Sequence, residues 1–331
     1  MGPGFFMVSN HGIDEELMSA VFRANQWFHD LPLADKNAIK LNHWHRGYQG
    51  FATSTLVSSA RFAPVSTANK LASFFIRQEV SSEDPSYLTG ALQGPNQWPD
   101  DPNFREVVTR YNCTVRALGH RLLPAFALAV REPADFFQPF FDNATTALRL
   151  IHYPSAEDFS SYDALGIQPH TDYGFITILA QDQVCGLEIQ LPDGGWMPLP
   201  HVPGVLIINI GDALARWTND IFNSTPHRVV SPRSGVDRYS VAMFFDPDVG
   251  AVIRCMSQFI DFDHPESLHS QLILNCFERE EATFSREEGE REDMSREEAI
   301  ARVYAVIKPG EPITVESAEK DLQNMFFSPK H

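Results

Sequence analysis

Leu187-Glu188-Ile189-Gln190-Leu191-Pro192-Asp193-Gly194-Gly195-Trp196 reads as one β-hairpin. Apolar and polar residues alternate from Leu187 to Leu191, the period of a strand with one buried face. Asp193-Gly194-Gly195 then supplies residues that tolerate a tight reversal. β-prone runs of similar length stand on both sides, at Leu148–Tyr153, Phe175–Leu179, Val205–Ile210, His227–Val230 and Tyr239–Phe245, separated by turn signals. Short strands at this spacing predict an antiparallel sandwich or barrel over Thr145–Val252.

The flanks change period. Phe5-Phe6-Met7-Val8 predicts a strand that ends in the turn Asn10-His11-Gly12. Asp14 stands where an N-cap belongs, ahead of Leu17, Met18, Val21, Phe22 and Phe28 at helical spacing. Asp101-Pro102 opens a second helix with Val107, Val108, Tyr111, Val115, Leu118 and Leu122 on one stripe, and Pro124 is expected to kink or end it. The Gly47–Pro99 stretch reads as irregular with one strand at Ser73–Ile76. After Phe259 helix returns, first around Leu268, Leu272 and Ile273. A capping box at Ser295-x-x-Glu298 then precedes Ile300, Val303, Tyr304 and Ile307. Glu278–Glu298, crowded with Glu and Arg, reads as a solvated surface. The division expected is one domain over 1–331. It comprises a helical flank (1–144), a β core (145–252) and a C-terminal helical region with an acidic tail (253–331).

With 331 residues and 43% hydrophobic content, the chain is long enough to bury a sizeable core. Its formal net charge of −17 argues against nucleic acid or an anionic membrane as partner, because both require basic patches. No apolar run approaches the roughly 20 residues needed to cross a bilayer. Met1–Asn10 lacks the basic and apolar regions of a signal peptide. Cys113, Cys185, Cys255 and Cys276 lie far apart with no Cys-x-x-Cys pair, the pattern of reduced thiols rather than a thiolate metal cage. These features predict a cytoplasmic globular protein; no oligomeric state follows from them.

His170-Thr171-Asp172 precedes a predicted strand, and alternate residues of an extended segment project to one side. Alone this is a weak signal, since chance gives about 0.7 such triplets in a chain of this composition. His227 strengthens it. It opens a β-prone run 55 positions after Asp172. Two imidazoles and one carboxylate occupy one face of an octahedron and leave three positions open, which suits non-haem Fe(II) and O₂ better than four-coordinate zinc. Arg238 and Ser240 share one face of the next strand. A guanidinium there can grip a carboxylate bidentately, with the hydroxyl adding a further bond. A dicarboxylate could then chelate the metal through a 2-oxo acid end while Arg238 holds the far carboxylate.

Taken in order, these motifs resemble the isopenicillin N synthase-like 2-oxoglutarate/Fe(II) dioxygenases over about Gly4–Val252. The matching stretches begin with Gly4-Phe5-Phe6, Asn10-His11-Gly12-Ile13, Arg46-Gly47-Tyr48 and Gly94-Pro95-Asn96-Gln97-Trp98-Pro99. Leu148-Arg149-Leu150-Ile151-His152-Tyr153-Pro154 and His170-Thr171-Asp172-Tyr173-Gly174 follow. Then come Gly186-Leu187, Gly195-Trp196, Pro203-Gly204, Asn209-Ile210-Gly211-Asp212, Pro226-His227-Arg228-Val229 and Arg238-Tyr239-Ser240. Members usually carry a strand and helix ahead of Gly-Phe-Phe, and many plant members have asparagine where Ile151 stands.

The resemblance implies a mainly β fold, a double-stranded β-helix (jelly roll) with N-terminal and C-terminal helices and iron at one open end. It implies that His170, Asp172 and His227 ligate Fe(II). Arg238 and Ser240 would bind the distal carboxylate of 2-oxoglutarate, and Tyr153 would reach the cosubstrate or substrate carboxylate. O₂ is then the second cosubstrate and ascorbate the reductant in vitro. The implied activity is hydroxylation, desaturation or cyclisation of a small organic molecule in secondary or specialised metabolism. The alternative is an oxidase of the same family that needs no 2-oxoglutarate and aims Arg238 at its substrate's own carboxylate. Phe62, Phe75, Trp217 and Phe245 are candidates for the substrate pocket. Asn209 and Asp212 are expected in a structural turn, and His43-Trp44-His45 in a polar loop.

Overall fold

Two aspartates start the helices of the N-terminal flank. The Asp14 carboxylate accepts a hydrogen bond from the Glu16 backbone N–H (2.7 Å) at the head of α1 (Glu15–Asp30). After the short α2 (Leu33–Ala38), Asp101 accepts from the Phe104 N–H (2.7 Å) to begin α3 (Pro102–Ala129). Each satisfies a donor that a first helical turn leaves unpaired. α3 does not end at Pro124 but continues through it, because Leu123, Phe126 and Ala127 beside it are buried and hold the last turn in place. The computed structural model describes residues 4–54, 68–83, 92–155, 165–232, 235–260 and 271–272.

Two antiparallel sheets form the body. The larger has seven strands in the order β1 (Phe5–Val8), β9 (Leu206–Ile210), β6 (Ile176–Gln181), β11 (Arg238–Asp246), β4 (Thr145–Tyr153), β3 (Ala72–Arg77) and β2 (Gly47–Gln49). The smaller has four: β5 (Leu165–His170), β10 (His227–Val230), β7 (Leu187–Gln190) and β8 (Trp196–Pro198). β7 and β8 are the hairpin read from the sequence, and Gly194 in its turn has φ +86°, where a side chain would be strained.

The alternation along β4 and β11 sorts residues between two cores. Leu148, Leu150, Val241, Met243 and Phe245 face α1 and α3, joining Val21, Phe28, Phe74, Phe104 and Val108 in the larger core. Ile151, Tyr153 and Ala242 face the other way, toward Ile167, Leu187 and Val229 of the smaller sheet. This inter-sheet core makes the body a jelly roll. At about 1.5–3 kcal/mol for each fully buried large side chain, the helix side carries most of the apolar stabilisation. The smaller apolar cluster shares the inner face with polar groups. Asn25 ties the layers together, its amide donating to Ile151 O (3.2 Å) and Ser240 O (3.1 Å).

Several expectations change. β5 is not among the strands expected, because Gly166, Gln168 and Pro169 interrupt its apolar pattern. As the edge of the smaller sheet it tolerates a proline that cannot donate to a ladder. β2 likewise falls in a stretch expected to be irregular. Around Leu272, in place of the expected helix, β13 (Gln271–Leu272) pairs with β12 (Val252–Ile253), which satisfies backbone groups on both. Leu268, Ile273 and the capping box at Ser295 lie outside the described residues. No described helix is long and apolar enough to cross a membrane.

Candidate active site

β5 ends at His170 and β10 begins at His227, and the register pairs these residues directly, with ring centroids 4.2 Å apart. Each imidazole is oriented by a backbone carbonyl. His170 Nδ1 lies 2.8 Å from Gln168 O, and His227 Nδ1 lies 3.2 Å from Thr225 O. A carbonyl only accepts, so Nδ1 carries a proton on both rings, which leaves Nε2 as the atom turned toward a metal. Phe5, from the first strand, packs edge-on against His227 at 5.4 Å.

Asp172 lies in the loop after β5, two residues beyond His170. That loop is tied down by the Asp212 N–H, which donates to Asp172 O (2.7 Å). Asp172 Oδ2 accepts hydrogen bonds from Thr177 Oγ1 and Asn209 Nδ2 (2.7 Å). Oδ1 is left facing the imidazoles, 3.7 Å from Nε2 of both His170 and His227. A metal about 2.1 Å from each donor touches atoms up to roughly 4.2 Å apart, so one ion can reach Oδ1 and either Nε2. Among the described residues no other cluster of three such groups forms, and His43 and His45 do not make one.

Charge supports the same arrangement. Burial, with the neighbouring His227, lowers the His170 pKa to about 3, so the ring is neutral and its Nε2 free to ligate. Burial opposes ionisation of Asp172, while the hydrogen bonds from Thr177 and Asn209 favour the carboxylate, and its pKa lies below the ordinary range. Two imidazoles beside one buried carboxylate are an oriented donor set suited to a divalent cation.

On the same inner face, Arg238 pairs in register with Tyr153 and lies 4.7 Å over its ring. Arg238 is only 1% exposed. Its hydrogen bonds go to neutral oxygens, Val184 O (3.2 Å) and Gln181 Oε1 (3.3 Å), and Nη1 has no partner among the described residues. Asp182 is close by, but its carboxylate is taken up by the backbone N–H groups of Tyr239 and Val184 (2.9 Å to the latter), and burial raises its pKa. Ser240 follows on the same face, buried opposite Gln181. A buried cation with an unused donor is costly without an anion, and this one shares the inner face with Asn209 and Thr177.

The aromatic candidates divide. Phe75 lies half-buried on the inner face, with Arg149 stacked on its ring at 4.8 Å. Trp217 and Phe245 do not line this space. Trp217 packs among Phe137, Phe140 and Phe175, and Phe245 stacks on Phe141, both in the core on the helix side. For Phe245 the cause is parity, since it alternates with the inward Phe244. Phe62 lies outside the described residues.

Sequence reasoning misses Thr177 and Gln181 and misplaces Asn209, which sits in β9 with its amide on Asp172. It also passes over Arg149, although a charged residue on the inward parity of an otherwise apolar strand is a signal available in Leu148–Tyr153.

Comparison with known proteins adds further findings. Residues 144–247 match the family model of the 2OG-Fe(II) oxygenase superfamily, and residues 2–101 match that of the non-haem dioxygenase in morphine synthesis N-terminal region. The chain is 36% identical over 263 residues to the 2-oxoglutarate-Fe(II) type oxidoreductase hxnY of Emericella nidulans, covering 76% of this chain and 73% of that one. A full-length Neurospora crassa protein, solved in complex with alpha-KG and 5-formyluracil, superposes with a TM-score of 0.71 at 25% identity, covering 86% of each chain. JOX2 in complex with 2OG, Fe and JA superposes with a TM-score of 0.70 at 26% identity, covering 84% of this chain and 77% of that one.

Proposed function

The chain belongs to the 2OG-Fe(II) oxygenase superfamily, and on that premise we propose how its own residues divide the work. It is a dioxygenase that depends on Fe(II) and 2-oxoglutarate and acts on a small organic molecule. His170 Nε2, His227 Nε2 and Asp172 Oδ1 hold the iron. Arg238, with Ser240 and Tyr153 beside it, holds the distal carboxylate of 2-oxoglutarate. The observation that carries this assignment is the buried Arg238 Nη1, a donor with no partner among the described residues.

Bound iron with 2-oxoglutarate and O₂ supplies oxidative decarboxylation to succinate and CO₂, which drives oxidation of the substrate C–H bond. The side chains contribute position and dryness. The Gln168 and Thr225 carbonyls fix the imidazole tautomers, Asn209 and Thr177 fix the carboxylate, and Arg238 sets the far end of the cosubstrate. Arg238 serves 2-oxoglutarate rather than a substrate carboxylate in this reading, which the 2-oxoglutarate-dependent relatives favour over the oxidase alternative.

The proposal extends to one domain over 1–331 working in specialised metabolism in the cytoplasm, without nucleic-acid or membrane partners. The net charge of −17 and the free Cys113 and Cys185 are consistent with it. The experiment is a screen of small organic molecules for substrate-stimulated succinate formation in air with Fe(II), 2-oxoglutarate and ascorbate. Stimulated succinate supports the proposal; substrate oxidation with no succinate would replace it with the oxidase reading.

A further inference from the structure

A second polar cluster occupies the inner face of the larger sheet, away from Arg238. Gln49 and Ser73 are register partners on β2 and β3, and Phe75 and Arg149 are register partners on β3 and β4. Gln49 is 3% exposed and Ser73 fully buried. Gln49 Oε1 accepts from Ser73 Oγ (3.1 Å) and from Arg149 Nη2 (2.9 Å), while Arg149 Nε also donates to Ser73 Oγ (3.1 Å). Because a guanidinium only donates, the amide oxygen must face Arg149, which settles the orientation of the Gln49 side chain. Its Nε2 then points elsewhere, buried and with no partner among the described residues.

We propose that Gln49 and Arg149 anchor a carboxylate on the molecule this enzyme oxidises. The inference rests on the dioxygenase reading above and names the substrate class for it. Arg149 pairs across the sheet with Ala242 of β11, which pairs with Leu179 of β6, and Thr177, two residues from Leu179 on the same face, holds Asp172, so the cluster borders the triad. It does not duplicate the Arg238 position. Arg149 lies four residues along β4 from Tyr153, the partner of Arg238, a separation of about 13 Å along the strand. The two guanidinium groups therefore serve different anions.

A carboxylate matches the donors better than a neutral carbonyl. One oxygen takes the unused Gln49 Nε2–H, the other meets the guanidinium, and the charges are opposite. In a chain of net charge −17, an anionic substrate needs a local cation to enter, and Arg149 supplies one on this wall. Anchored there, the acid presents its opposite end to the triad, so oxidation falls on a carbon remote from the carboxylate.

The test uses the full chain, anaerobic, loaded with Fe(II) and 2-oxoglutarate. The weak visible charge-transfer band of that complex is followed as benzoate, phenylacetate and hexanoate are added, each beside its primary amide. At least one acid should perturb the band with an affinity roughly tenfold or more above its amide. Arg149→Gln should form the same band yet lose that preference, and Gln49→Leu should weaken acid binding several-fold. Acids that bind no better than amides in the wild-type protein, or a preference that survives Arg149→Gln, overturn the anchor. Absence of the band in wild type overturns the dioxygenase assignment itself, and the anchor with it, so the two failures are distinguishable.

Discussion

Asn209 holds Asp172 from behind: its amide donates to Oδ2 at 2.7 Å while Oδ1 stands 3.7 Å from Nε2 of both His170 and His227. One carboxylate oxygen is thus committed to the protein and the other kept for the metal. Asn209→Ala should lower Fe(II) affinity by about 10- to 100-fold, the usual cost of losing a group that orients a ligand. Anaerobic metal titration of folded variant and wild type measures this, and equal affinities would remove Asn209 from the account.

His170→Ala and His227→Ala each delete one nitrogen donor from a three-donor set. Neither variant should retain stoichiometric iron after anaerobic Fe(II) loading and desalting, whereas the wild-type protein should. One equivalent retained by both would show that the metal sits elsewhere.

Phe245 belongs to the helix-side core, stacked on Phe141 with ring centroids 5.0 Å apart. A Cβ added at Gly119 would stand 2.6 Å from its ring. Phe245→Ala should cost about 3–5 kcal/mol of stability and Gly119→Ala about 1–3 kcal/mol through overpacking. Urea unfolding reads both. At a temperature where the variants are folded, KM for 2-oxoglutarate should not change; a large rise in KM would return Phe245 to the active-site wall.

His29 gives stability an acid limit. Burial lowers its pKa from an ordinary 6.5 to about 3, and its Nε2 has no partner among the described residues. The unfolded chain therefore binds a proton between those values that the folded chain refuses. The resulting stability is full above pH 6.5 and is lost as pH falls toward 3, by up to about 1.4 kcal/mol per pH unit. Chemical denaturation from about pH 7 to about pH 4.5, inside that window, should show a shallower loss for His29→Leu than for wild type. Identical slopes would mean that other groups set the acid limit.

What the sequence discloses follows from how local each feature is. The Leu187–Trp196 hairpin, the Asp14 and Asp101 caps and the strand at His227 depend on neighbours in the chain, and the structure has each of them. The order of His170, Asp172, His227 and Arg238 is legible as a motif, although the loop contact that ties Asp172 to Asp212 is not. The supports are hidden. Asn209 reaches Asp172 across 37 positions and Gln49 reaches Arg149 across 100, contacts that exist only once β9, β2, β3 and β4 are in register. Phe245 misleads because its parity on β11 is set by which neighbours face the helices, and aromatic character alone says nothing about that side.

The most direct measurement is an anaerobic titration of Fe(II)-loaded wild type and Arg238→Gln with 2-oxoglutarate, following the visible charge-transfer band. Both proteins should hold iron. Losing a charge-assisted contact to a buried carboxylate costs about 2–5 kcal/mol, so the variant should need roughly 30- to 4,000-fold more 2-oxoglutarate to reach half-saturation. Equal saturation curves, or a wild-type protein that binds iron and shows no band at any 2-oxoglutarate concentration, would contradict the assignment of Arg238 to the cosubstrate.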